Sequence, residues 1–187
     1  MLNKRLIFVM IALLFASLMY ANTFTDTTVS WMEAKGLNPI LIVLIISMLP
    51  IIELRGAIPV AILIFKMNWL EASVICIIGN MIPVPFILLL MTWFFRTISK
   101  YSVGKRFTEW LFARTRHKGK IIEKYEAIGL TAFVGIPLPG TGAWTGAFAA
   151  NIFGLKFWKS ILCIFLGVIG AAVIMTTLSV MGSLALG

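Results

Sequence analysis

The sequence predicts an all-α integral membrane protein. Two oppositely oriented re-entrant helical hairpins are each followed by a transmembrane helix, as an inverted repeat, behind an N-terminal hydrophobic helix. Three observations carry this expectation. The 187 residues are 60% hydrophobic and only 12% charged, about half the charge of an ordinary soluble domain. Several charge-poor stretches approach or exceed the roughly 20 apolar residues that cross a bilayer. Two of these stretches are broken by prolines and glycines, and one of the two holds an acid and a base in its middle.

Taken in order, residues 1–22 join Lys4 and Arg5 to an apolar run that ends at Ala21-Asn22. This has the shape of a secretory signal. Met19, however, stands where a cleavage site wants a small residue, so an uncleaved first helix is the preferred reading. Thr23–Asn38 is polar, with Asp26, Glu33 and Lys35.

The membrane domain is expected over 39–187. Its first segment, 39–65, is apolar throughout except at its centre, where Pro50, Glu53, Arg55, Gly56 and Pro59 fall. Backbone broken in this way is tolerated at membrane depth only where protein or a water-filled cavity surrounds it. Residues 70–97 form one crossing, kinked at Pro83 and Pro85. Residues 98–126 form a basic loop: from Arg96 to Glu126 nine Lys/Arg face three acids. Inside it Phe107, Trp110 and Leu111 share a helical face flanked by Arg106 and Arg114, the pattern of a cationic helix on a membrane surface. A second broken segment, 127–155, is interrupted by Pro137, Pro139, Gly140, Gly142 and Gly146. The last helix, 157–187, is uncharged after Lys159.

Charge decides whether the broken segments cross. Loops rich in Lys and Arg stay in the cytoplasm. Lys4 and Arg5 place the start inside, and the first helix leads out. The basic loop must be inside again, and 70–97 is the single clean inward crossing between them. Segment 39–65 therefore leaves on the side it entered. The same test applies to 127–155, because Lys156 and Lys159 also belong inside. Each half-hairpin has about 10–13 residues, or roughly 15–20 Å, about half a bilayer. The tips, expected near Glu53–Gly56 and Pro139–Gly142, would meet near the midplane. A shift of 87 residues superposes Pro50 on Pro137, Ser73 on Ser160 and Cys76 on Cys163. Inverted repeats with broken helices at the midplane belong to transporters.

Glu53 and Arg55 are the charges expected at membrane depth, where isolated ions are costly. Their functional reading is a proton or ion site at Glu53 and an anion site at Arg55; the structural one is an ion pair bracing the tip. Pro137, Pro139, Gly140, Thr141 and Gly142 leave backbone groups free, and a helix restarting near Gly142 would present its N–H groups to an anion. Thr141 and Thr145 add hydroxyls and Trp144 a stacking face. Asn80 and Asn151 are polar residues in apolar surroundings. Asn80 is read either as reaching a hairpin tip or, with slightly more weight, as interhelical glue. Cys76 and Cys163 have no metal or redox spacing, and His117 is a solvated loop residue. No cofactor and no metal is expected.

The string Pro50-Ile51-Ile52-Glu53-Leu54-Arg55-Gly56-Ala57-Ile58-Pro59 and the string from Ile136 to Gly146 resemble the two signature blocks of the small multidrug export protein family. The resemblance covers most of the chain after residue 38. More distantly the chain resembles the DedA/VTT membrane proteins, which have two opposed re-entrant hairpins. Some of those are implicated in moving polyprenyl-phosphate carriers. The second hairpin here departs from the DedA pattern in having no arginine.

The resemblance implies export of a small molecule across the cytoplasmic (inner) membrane, with proton coupling through Glu53 as one expectation. The alternative is a lipid translocase for a polyprenyl-phosphate or other anionic lipid, with Arg55, Gly56, Pro59 and the Gly-rich tip at the headgroup. No HExxH, paired aspartates or Ser–Lys arrangement points to an enzyme. The net charge of +9 is read as topology and contact with lipid headgroups rather than nucleic acid. The small size leaves room for a homodimer.

Overall fold

The computed structural model describes residues 27–99, 119–138 and 140–186. The N-terminal segment 1–22, the cationic helix around Trp110, most of the basic loop and Pro139 lie outside the described residues. Among those described, the fold is helical and contains no strand.

Residues 27–34 are helical and lead to α1, Pro39–Met48. Asn38 caps α1 by accepting from the Ile40 amide at 3.0 Å, and Pro39 fits the first helical position because no N–H is needed there. Pro50 then stops the helix. After a turn through 49–52, α2 runs Glu53–Pro59 and passes into one π-helical turn, Val60–Ile64. The Phe65 amide donates to Val60 and the Met67 amide to Ala61, so the backbone widens after Pro59.

The first break therefore falls four residues before the expected tip. Gly56 and Pro59 lie inside the helical stretch rather than in the turn. Pro50 alone ends α1, while Pro59 costs only one internal bond, which the π turn absorbs.

Asn68 starts the next helix in the same manner as Asn38, accepting from the Leu70 amide at 2.9 Å. That helix, α3, covers Trp69–Met81, and α4 covers Pro83–Ile98. They meet at Ile82, at the kink expected from Pro83 and Pro85. α5 is Gly119–Gly135, α6 Ala143–Ile152 and α7 Phe157–Leu186. α5 reaches back into residues expected to be loop. Lys120, Glu123, Lys124 and Glu126 are good helix formers, so charge there does not mark irregular chain.

Two helical stretches are long and apolar enough to cross a membrane: Trp69–Phe94, of 26 residues, and Phe157–Leu184, of 28 residues. Their windows are only 33% and 39% buried. What they expose is apolar: Phe86 is 69% exposed and Trp158 78%. A water-facing surface rarely carries so large a continuous apolar area, and a lipid-facing one does.

The core lies where the short helices meet the long ones. Ile42, Ile46, Leu54, Ile58, Val84, Leu130, Val134, Ile164 and Val168 are fully or almost fully buried. α1 packs on α2 and α3, and α5 packs on α6 and α7. α2 also packs on α7, and α6 on α4.

Glycines set the closest approaches. A Cβ at Gly79 would meet Ser47 Oγ and the Leu44 carbonyl; one at Gly167 would meet Val134 and the Thr131 carbonyl. Gly79→Val should push α3 off α1. Forcing methyls into a packed contact costs about 1–3 kcal/mol, so the thermal midpoint in detergent should fall. The half-buried Gly182, with nothing within 4 Å of its missing Cβ, should tolerate alanine with little change.

Candidate functional site

The two chain breaks come together, and side chains from each one cap the helix ends of the other. Thr141 comes first because it shapes the second break. Its Oγ1 lies 2.8 Å from the carbonyls of both Ile136 and Leu138 and accepts from the Leu138 amide at 3.3 Å. Ile136 and Leu138 are thereby gathered around one hydroxyl, with Gly140 at φ +78° and Gly142 at φ +146°. Only glycine adopts such angles without strain.

Arg55 enters this turn from α2. Its Nη1 donates to the Leu138 carbonyl at 2.5 Å and its Nη2 to Thr141 Oγ1 at 2.8 Å. Nη2 also lies 3.5 Å from the carbonyls of Val134 and Ile136. These carbonyls lie at and beyond the end of α5, where the helix dipole is negative and a cation is favourable; those of Ile136 and Leu138 also accept the Leu138 and Thr141 amides.

Glu53 takes the opposite pole. It is 5% exposed and sits at φ +52°, an unusual value for a residue other than glycine. Its carboxylate packs on Gly142 and accepts from the Trp144 amide at 3.4 Å. That amide belongs to the first turn of α6, the positive end of the helix.

The third link runs the other way. Trp144 Nε1 donates to the Met48 carbonyl at 3.0 Å, an orphan acceptor at the end of α1. A residue of the second break thus closes the first, and two residues of α2 close the second.

This places the expected site residues as follows. Glu53, Arg55, Thr141, Gly142 and Trp144 are brought together, with Pro137 and Gly140 shaping their turn. Glu53 and Arg55 do not hydrogen-bond each other; each reaches its own pole of the second break. The free α6 N-terminus expected to attract an external anion is filled by Glu53. Thr145 is turned to its own helix, donating to the Gly142 carbonyl at 3.4 Å. Gly56 and Pro59 lie within α2.

Asn80 is 1% exposed, and its Oδ1 has no hydrogen-bond partner in the structure, so it makes no such link to either break. Asn151 is interhelical glue: its Nδ2 is 3.1 Å from the Ala147 carbonyl and 3.5 Å from that of Leu88, while Oδ1 accepts from Thr92 Oγ1 at 3.0 Å. Sequence reasoning noted Ser73 only as a repeat identity and passed over Thr176; their hydroxyls meet at 2.7 Å between α3 and α7. It also missed the Met48 carbonyl, since main-chain acceptors carry no residue signature. Among the described residues no group of His, Cys, Asp and Glu is arranged to hold a metal.

Comparison with known proteins gives one match. The sequence model of the family described as "Putative small multi-drug export protein" matches residues 53–174, a span that opens on Glu53 and contains the whole second break. No curated protein and no solved structure matches the chain. With well over half its length inside that match, and with helices fit to cross a bilayer, this chain is a membrane protein of the small multi-drug export family.

Proposed function

We propose that the protein is a proton-coupled secondary exporter of small molecules, with its site where the two chain breaks meet near the bilayer midplane. The observation that carries this reading is the reciprocal capping itself. A charged and polar cluster of Glu53, Arg55, Thr141 and Trp144 joins broken helices inside an otherwise apolar structure. In lipid such a cluster is costly, and it marks transport pathways more often than braces.

The two broken segments are read as re-entrant hairpins. α1 and α6 have 10 residues each, roughly 15 Å of helix and about half the hydrocarbon thickness. Internal repetition has support beyond sequence identities. Leu44 and Ser47 pack against Gly79, and Thr131 and Val134 pack against Gly167. Leu44 and Ser47 are related to Thr131 and Val134 by the same 87-residue shift that relates Pro50 to Pro137, while the two glycines they face are 88 residues apart. Packing of α2 on α7 and of α6 on α4 is also what an exchange between two such halves would produce.

Topology is testable directly. Cysteines placed near residue 68, for example Glu71→Cys, should react with an impermeant maleimide from outside, and Lys118→Cys only from inside. Labelling of both from one face rejects the hairpins. Native Cys76 and Cys163 are buried and should stay silent.

Proton coupling is assigned to Glu53. Ionised, it holds the positive end of α6; protonated, it loses that attraction. Full-length protein in vesicles should move members of a panel of cationic, neutral and anionic amphipathic compounds, and a pH gradient should drive the movement. Glu53→Gln keeps an acceptor for the Trp144 amide but cannot titrate. It should lower gradient-driven flux at least about tenfold while the protein stays monodisperse. Undiminished coupling in that variant would remove Glu53 from the mechanism.

A further inference from the structure

We infer that the cargo is a cation, held by the Glu53 carboxylate in place of the α6 N-terminus. This rests on the exporter reading and narrows it to one charge class.

The argument starts from which groups at the junction are already engaged. An anion needs donors. The guanidinium of Arg55 is turned to four acceptors of the second break: the carbonyls of Val134, Ile136 and Leu138 and the hydroxyl of Thr141. The Trp144 amide of α6 donates to the Glu53 carboxylate. Of the five guanidinium N–H groups, those of Nη2 and one of Nη1 are already directed at these acceptors, and an anion on the remaining donors would lie near Glu53, a like charge. The indole N–H of Trp144 is engaged as well, on the Met48 carbonyl.

A cation meets the opposite situation. The carboxylate is held by one long hydrogen bond of 3.4 Å, against a capacity of about four. Its counter-charge is a helix end equivalent to roughly half a unit, which a full positive charge outcompetes. Exchange therefore needs one substitution at one group and leaves the four Arg55 contacts in place.

A proton competes for the same oxygen atoms, so cargo and proton exclude each other there, which couples their movements in opposite directions. The charged neighbour of Glu53 on its own helix is Arg55. Neither α1 nor α6 carries an ionisable side chain. α3 carries Glu71 and Cys76, and α7 carries Lys159 and Cys163. Glu71 lies in the first turn of α3, and Lys159 lies near the start of α7.

The test uses full-length protein in vesicles with an imposed pH gradient and three permanent cations: ethidium, methyl viologen and tetraphenylphosphonium. Size-matched neutral and anionic aromatic compounds form the comparison. Protein-dependent movement of at least one cation is expected. Each transported cation should release protons into the opposite compartment, read by a pH dye. Glu53→Asp should retain cation binding, measured by ethidium anisotropy in detergent, and Glu53→Gln should weaken it at least about tenfold. Transport of anions or neutral compounds without any of the cations overturns the cation assignment and leaves the exporter standing. If no compound of any class moves, the exporter reading fails and the cation assignment with it. Equal ethidium affinity in wild type and Glu53→Gln, both monodisperse, also overturns the assignment.

Discussion

Arg55→Ala should be strongly destabilising, costing about 2–3 kcal/mol, the range for losing hydrogen bonds from a charged donor. Two short bonds disappear, to Leu138 at 2.5 Å and Thr141 at 2.8 Å, and the longer contacts to Val134 and Ile136 go with them. In water the freed carbonyls would be rehydrated. If the junction lies at membrane depth, as proposed, no water replaces the donor, and Ile136 and Leu138 keep only local partners such as the Leu138 and Thr141 amides. Glu53 would also remain buried without its neighbouring positive charge. Loss of the folded species on detergent unfolding, or failure to accumulate in the membrane, is the measurement. Arg55→Lys should recover only part of the loss, because an ammonium cannot fork across several acceptors as the guanidinium does. A lysine variant as stable as wild type would show that charge alone suffices.

The second large effect is expected at Gly142. Its φ of +146° excludes side chains on conformational grounds, at about 1–3 kcal/mol. A Cβ there would also collide with the Glu53 carboxylate. Gly142→Ala should therefore lose about 2–4 kcal/mol, the backbone strain plus displacement of the acid. Gly140 makes the control. It too has positive φ, at +78°, but nothing lies within 4 Å of its missing Cβ. Gly140→Ala should cost about 1 kcal/mol. Combining Gly142→Ala with Glu53→Ala should cost less than the two changes separately, because the collision is then absent. Strict additivity would mean that the carboxylate and the glycine do not interact.

Much of this arrangement was legible before any coordinates. Apolar stretches with interrupting prolines announce broken helices, and the Pro83 kink appears where expected. Glu53 and Arg55 stand out because charge is rare in such surroundings, and Trp144 because it follows a Gly-rich turn. What the residues could not announce was their partners. Arg55 binds carbonyls, which every residue has, so no pattern points to Val134, Ile136 or Leu138. The expected open N-terminus of α6 was a sound reading of one segment by itself; the chain fills it with an acid 89 residues earlier. The first break moved to 49–52 because Gly56 is compatible with helix in a tightly packed setting, and sequence alone does not weigh that packing. Gly79 and Gly167 were unremarked since a glycine in an apolar helix is common. Their importance appears only when the facing carbonyls of Leu44 and Thr131 are seen.

The placement of Glu53 and Arg55 on a single seven-residue helix has a mechanical consequence. α2 holds the positive and negative poles of the second break at once, with side chains only two positions apart. A rigid movement of α2 would withdraw both charges together, whereas release at Glu53 alone requires only its carboxylate to turn away. The helix can therefore stay anchored through Arg55 while the acid changes partner.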